Sequence, residues 1–147
     1  MGNPAADESC VFCAVAAGHA EASRVHEDDH VVAFLDIRPV TTGHLLVVPR
    51  LHAATLETLP EDRGTRVFRV AQRLARALRR SGIPCEGVNL FLADGAVAGQ
   101  EVFHVHLHVI PRTAGDGFGL RARPSTPGRD ELDATAQRVR AGSVALA

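Results

Sequence analysis

Three histidines alternate with apolar residues in the segment His104-Val105-His106-Leu107-His108-Val109-Ile110. Successive side chains of a strand point to opposite faces. This spacing therefore predicts His104, His106 and His108 on one face, and Val105, Leu107 and Val109 on the other. Neighbouring imidazoles on such a face stand roughly 6.5 to 7 Å apart, close enough to bracket one phosphate group. Imidazoles pack poorly and are costly to desolvate, so three in a row point to chemistry rather than to core formation. A neutral imidazole, with an ordinary pKa near ~6.5, can attack an electrophile at neutral pH without a separate base. Its second nitrogen then needs a hydrogen-bond acceptor. Two other readings stay open at this point: a solvent-facing histidine ladder, and an H-x-H metal site completed by a distant ligand.

A second constellation lies near the start of the chain, where Cys10 and Cys13 form a C-x-x-C pair. Three cysteines, an odd number, do not describe a disulfide framework. A redox pair would open a helix after a buried strand, and no strand is predicted before Cys10. Half of a zinc site, awaiting two more ligands, is the better reading. Cys85 stands alone and reads as a small packed residue.

The elements that must position these groups follow from periodicity. Residues 1 to 9 read as a loose tail. Residues 24 to 37 hold two short strands split at Glu27-Asp28-Asp29, and a buried strand is predicted from His44 to Val48, antiparallel to its predecessor across a Pro/Thr/Gly turn. Between Pro60 and Ser81 the period changes: Val67, Val70, Leu74, Ala77 and Leu78 recur at helical spacing, and Gly82 and Pro84 end the helix. Strands are expected at residues 88 to 92 and 101 to 111, joined by the Gly-rich turn ADGAVAGQ. A short helix is expected over about residues 130 to 141 with Asp130 as its N-cap. The fold class expected is α+β, an antiparallel sheet with one main helix packed on it.

The chain has 147 residues, 46% apolar and 22% charged, which suits one globular domain over residues 1–147. No apolar run approaches the roughly 18 residues of a membrane span. No secretory leader is visible, so the cytoplasm is the expected compartment and no membrane partner is expected. All sixteen basic residues are arginine and the net charge is -1. Arg63, Arg66, Arg69, Arg73, Arg76, Arg79 and Arg80 crowd the predicted main helix. Aromatic residues do not interleave with them, so they read as a solvated face and no nucleic-acid partner is expected.

The histidine segment resembles the signature of the histidine triad (HIT) superfamily, in which three histidines alternate with apolar residues. The likeness extends upstream through Ala98-Gly99-Gln100-Glu101-Val102-Phe103 and downstream to Pro111-Arg112. Phe34-Leu35-Asp36-Ile37-Arg38-Pro39, followed by Gly43-His44-Leu45-Leu46-Val47-Val48-Pro49-Arg50-Leu51-His52, resembles the family's other hallmark. With Cys10-Val11-Phe12-Cys13 the similarity spans residues 10–112 and leaves 113–147 as a C-terminal extension.

The resemblance implies nucleotide hydrolysis or transfer at the α-phosphorus, through a covalent nucleotidyl-histidine intermediate on His106. It implies that His108 contacts the phosphoryl oxygens, that His44 supports the triad, and that Gln100 touches the transferring phosphate. Asp36 resembles the acid that binds the ribose hydroxyls. The zinc-bearing branches, among them Hint-like proteins and galactose-1-phosphate uridylyltransferase relatives, imply a structural zinc on Cys10, Cys13, His52 and His104. Such members commonly pair, and a homodimer through Val67, Val70 and Leu74 is expected.

One position departs from the pattern. Ala93 stands where many members carry a nucleotide-binding asparagine, and Asn89 lies on the same strand face four residues earlier. The departure bears on substrate identity more than on reaction type. Adenosine phosphoramidates and dinucleoside polyphosphates both suit the framework. Two other functions fit the same residues: a slow-turnover nucleotide-binding regulator, and a hydrolase with zinc on the triad itself.

Overall fold

The computed structural model describes residues 7–143. Of the expected tail, residues 1–6 lie outside the described residues. Asp7 to Ser9 form a turn rather than a loose end: Cys10 N–H donates to the Asp7 carbonyl at 2.8 Å, and Ser9 Oγ donates to Asp7 Oδ1 at 2.6 Å. The turn delivers Cys10 as N-cap of a six-residue helix, α1 (Val11–Ala16), where Cys13 N–H meets Cys10 Sγ at 3.4 Å.

Five strands follow, β1 (Arg24–Glu27), β2 (Val31–Leu35), β3 (Leu45–Pro49), β4 (Gly87–Phe91) and β5 (Leu107–Arg112). They form one antiparallel sheet in the order β1-β2-β3-β5-β4. The main helix α2 (Glu61–Arg80) lies between β3 and β4, and α3 (Arg129–Ser143) ends the described chain. The α+β class and the antiparallel sheet are as the sequence implied.

Both faces of the central strands are covered, which explains why VVAF and LLVV read as unbroken apolar runs instead of alternating. Val31, Ala33, Leu45, Val47, Leu107 and Val109 face α2 and pack on Val67, Val70, Ala71 and Leu78. Val32, Phe34, Leu46 and Val48 face the other way and pack on Cys10, Phe12, Cys13 and Val15 around α1. The sheet is thus a partition, with its larger core on one side and the chemistry on the other.

Three expectations need correction. The homodimer face is not available: Val67 and Val70 are only 3% and 4% exposed and sit in the α2–sheet core, with Leu74 packed beside them. A helical stripe shows that something covers it, and here the cover is the chain's own sheet. A second copy would have to seat elsewhere. The histidine strand is also shorter than expected, since β5 begins at Leu107 and residues 101–106 carry no regular strand pairing. Finally, Asp130 falls within the first turn of α3, not at its cap, where its charge still favours the helix N-terminus. Among the described residues, no helix is long and apolar enough to cross a membrane.

Candidate active site

Gly43 sets the entry to the site. It has φ +90°, and a Cβ there would come within 3.1 to 3.3 Å of Ile83 and Leu78, so the sharp turn before β3 requires glycine. That turn delivers His44 just before β3, whose Leu46 pairs with His108 of β5. His44, His106 and His108 then line a pocket of about 600 Å³ together with Asp36, Phe12, Phe34, Phe91 and Ile110. The rings of His106 and His108 lie 4.9 Å apart, closer than ideal strand spacing, because His106 precedes the regular strand.

Hydrogen bonds assign a proton to each ring. His106 Nδ1 sits 2.7 Å from the His104 carbonyl oxygen, which can only accept, so the proton is on Nδ1 and Nε2 keeps its lone pair. Val40 N–H donates to His44 Nδ1 at 3.2 Å, which leaves the His44 proton on Nε2. That Nε2–H meets His108 Nδ1 at 2.9 Å, so His108 in turn carries its proton on Nε2. One backbone amide therefore fixes a relay that ends in an N–H donor, beside a ring that ends in a lone pair. Asp36 Oδ2 lies 3.6 Å from His44 Nε2, and its Oδ1 accepts from Arg38 N–H at 2.8 Å.

Burial, reinforced by the neighbouring His106 and His44 and opposed by Asp36, pushes His108 down to about 4. Burial also lowers His44, again against Asp36. Both rings are thereby held neutral across the physiological range. An unfolded His108 with the ordinary value near 6.5 takes up a proton that the folded one refuses until about 4. Stability should therefore fall as pH drops through that window. Melting temperatures between pH 7 and 4 should show this decline, shallower in His108→Asn; an unchanged slope in the variant would contradict the assignment.

His104 does not line the pocket, although its backbone carbonyl orients the His106 ring. Its side chain, fully buried, turns to the cysteines: Nδ1 is 3.4 Å from Cys10 Sγ and 3.5 Å from Cys13 Sγ. His52 Nδ1 completes the group, 3.3 Å from Cys13 Sγ and 3.2 Å from His104 Nδ1. Zinc held at about 2.0–2.1 Å by nitrogen and 2.3 Å by sulfur gives tetrahedral edges of roughly 3.3 to 3.8 Å, and these separations match. His104 Nε2–H donates to the Pro49 carbonyl at 2.7 Å, so its Nδ1 lone pair is aimed at the centre of the group. Burial pushes the Cys13 thiol up to about 11, a position that a bound cation would reverse. The four residues fit a zinc ion.

Asp36, His44 and His108 form a second close group of potential ligands. Its shortest contact, His44 to His108, is already accounted for by the proton that Val40 assigns.

Two expected site residues are placed differently. The Gln100 side chain is 5% exposed in its residue and committed to the loop: Nε2 donates to Ala54 O at 2.7 Å and Val102 O at 3.1 Å, while Oε1 accepts from Gly95 N at 2.8 Å. It shapes the Gly-rich turn and is not among the residues lining the pocket. Asn89 accepts from Arg112 Nη1 at 2.6 Å, also away from the pocket lining. Ala93, at the position of the family asparagine, is buried. The apolar walls of the pocket, which include Phe12, Phe34, Phe91 and Phe118, were not foreseen, since no spacing or motif marks these residues as pocket-lining.

Comparison with known proteins adds to this geometry. A family model described as HIT domain matches residues 17–115. A crystal structure of a HIT family protein from Bacillus anthracis superposes with TM-score 0.86 at 36% identity, covering 92% of this chain and 97% of that one. A zinc-bound histidine triad family protein from Mycobacterium smegmatis is 42% identical with TM-score 0.73, covering 91% and 97%. The adenosine 5'-monophosphoramidase of Saccharomyces cerevisiae is 35% identical over 106 residues, 72% of this chain and 64% of the yeast protein.

Proposed function

This chain belongs to the HIT domain family, and we propose that it transfers the nucleotidyl group of a nucleoside phosphoramidate to His106 and then to water. The observation that carries this reading is the proton assignment: a lone pair on His106 Nε2 beside an N–H on His108 Nε2. In the first step His106 Nε2 attacks the α-phosphorus and a P–N bond forms. The bond to the leaving amine breaks, its electron pair departs with the amine, and a proton from solvent goes to that nitrogen, while the His108 Nε2–H bonds a phosphoryl oxygen. The ring of His106 becomes cationic, and its Nδ1–H stays on the His104 carbonyl, which stabilises the charge without taking the proton. In the second step water attacks phosphorus and releases a proton to solvent, and the P–Nε2 bond breaks with its electron pair returning to Nε2.

Asp36, at the pocket wall beside His44, is assigned to the ribose hydroxyls. The pocket favours one phosphate over several. Arg38 is the one Lys or Arg among the lining residues, and its Nη2 lies 3.3 Å from Glu101 Oε2. Glu21, Asp36 and Glu101 add carboxylates to the same walls. A dinucleoside polyphosphate would bring extra negative charge into this field, with Arg38 as the one lining Lys or Arg to meet it. The activity of the yeast relative, an adenosine 5'-monophosphoramidase, points the same way. In a substrate panel, kcat/KM for adenosine phosphoramidate should exceed that for diadenosine polyphosphates by about tenfold or more. The reverse order would overturn the substrate assignment, and turnover too slow to measure on either would favour the regulatory reading.

Zinc belongs to this reading as a structural ion on Cys10, Cys13, His52 and His104, in keeping with the zinc-bound relative. When bound, it supplies the positive charge that keeps both thiolates deprotonated and joins α1 to the residue whose carbonyl holds the nucleophile. The chain's own part is orientation: Pro49 fixes the His104 ring, and His104 fixes His106.

A further inference from the structure

We propose that Arg50, assisted by Arg24, latches the C-terminal end of α1 to the sheet, and that this latch positions both the Cys10 and Cys13 thiols and the Phe12 wall of the pocket. The pocket arm rests on the nucleotide reading above and deepens it.

α1 carries more than its length can hold in place. It has six residues, and isolated helices shorter than about 12 residues are marginal in water. Yet its N-cap Cys10 and its Cys13 supply half of the metal group. Val11, Phe12 and Val15 line the pocket, and the Phe12 ring lies 5.0 Å from that of His106 and 5.5 Å from that of Phe34. A tilt of α1 therefore moves thiols and wall together.

The C-terminal end of a helix presents carbonyls without intrahelical partners and the negative end of the dipole. α1 has no basic residue in its own last turn, and two arginines from elsewhere in the chain take that place. Arg50 Nη1 donates to the Ala16 carbonyl at 2.6 Å, and Arg24 Nη2 donates to the Val15 carbonyl at 2.6 Å. Arg50 Nε also donates to the Asp28 carbonyl at 2.6 Å, and its backbone N–H donates to the His30 carbonyl at 2.8 Å. The same side chain thus ties the helix to the turn between β1 and β2. Glu27 stands between the two arginines, with Oε2 at 3.4 Å from Arg50 Nη2 and 3.7 Å from Arg24 Nε.

Bonds from a guanidinium to a carbonyl are charge-assisted, and the planar fork lets one side chain serve helix, turn and carboxylate at once. At 31% exposure each, the two arginine side chains are only partly screened by solvent. Arg50 also follows Pro49, whose carbonyl accepts from His104 Nε2–H. Neither arginine is among the residues that line the pocket or form the metal group. Both act through the helix they hold, as positioning residues.

The test uses zinc-loaded protein and reads zinc release to a chelator, affinity for AMP, and kcat and KM with adenosine phosphoramidate. Arg50→Met keeps the apolar stem and removes every side-chain donor. It should release zinc about tenfold faster, as expected when the support of a ligand is lost. It should bind AMP about fivefold more weakly and raise KM alike, with kcat within about twofold of wild type in excess zinc. Arg50→Lys, which keeps the charge and one donor group, should fall between the two. A lower melting temperature in Arg50→Met with zinc release and AMP affinity unchanged assigns Arg50 to stability alone and overturns the proposal. If Arg50→Met does not fold, Arg50→Lys and Arg24→Met, each of which keeps part of the latch, decide it: wild-type zinc release and AMP affinity in both overturn the proposal. A wild type that takes up no zinc overturns it as well. A wild type that turns over no phosphoramidate, with zinc release and AMP affinity responding as stated, counts against the substrate reading and leaves the latch standing.

Discussion

Replacing His106 with alanine should lower turnover of adenosine phosphoramidate by about a thousandfold or more, equivalent to ~4 kcal/mol of barrier, while nucleotide affinity changes only a few-fold. The side chain removed contributes the attacking lone pair. The proposed substrate contacts, Asp36, His108 and the apolar walls, still line the pocket. Direct attack by water does not recover the loss, and neither His44 nor His108 offers a free lone pair to phosphorus, since the Nδ1 of each accepts a hydrogen bond. Single-turnover kinetics and equilibrium titration would measure the two quantities separately. Retention of more than about a tenth of wild-type activity, a cost below ~1.4 kcal/mol, would mean that covalent catalysis at this residue is wrong.

The zinc site should show the second large effect. Purified protein is expected to carry about one zinc per chain by elemental analysis, a ratio set by four ligands with no open position. Cys10→Ser combined with Cys13→Ser should release it. Metal binding is folding free energy when the unfolded chain has no preformed site. A loss of ~3 kcal/mol would lower the melting temperature by on the order of 10 °C in a domain of this size. His106→Ala should leave metal content unchanged, since that ring lies on the pocket side with its Nδ1 on a carbonyl. His104→Ala should lose metal and slow the chemistry together. The opposite pattern, with zinc kept by the double cysteine variant and lost in His106→Ala, would put the metal on the triad and make the enzyme a zinc hydrolase.

Much of the site was legible because its residues are close in sequence or separated by one sheet register. The His-x-His-x-His spacing and the β3 block announced His106, His108 and His44, and pairing of Leu46 with His108 brings them together. The metal group required distant residues, and the resemblance supplied His52 and His104 where spacing alone left the second half of the site unspecified. What could not be read was tertiary choice. Nothing in the sequence says whether the stripe of Val67 and Val70 meets a sheet or a second copy. The six residues of α1 are too few to show a helical period, and Cys10 is not a usual cap. Gln100 and Asn89 have side chains suited to a substrate, but partners far along the chain claim them first: Ala54 O holds one, and the Arg112 guanidinium the other. Phe118 carried no motif of its own, because it lies in a loop, where no periodicity applies.

The central claim is that His106 carries the nucleotidyl group, and one measurement tests it most directly. Wild-type protein is mixed with adenosine phosphoramidate, quenched with denaturant within one turnover, and digested for peptide mass spectrometry. The account predicts a mass increase of one adenylyl group on the peptide containing His106, stable to base, labile to acid and missing from His106→Ala. An unmodified His106 peptide during active turnover, or an adduct on His108 instead, would contradict it.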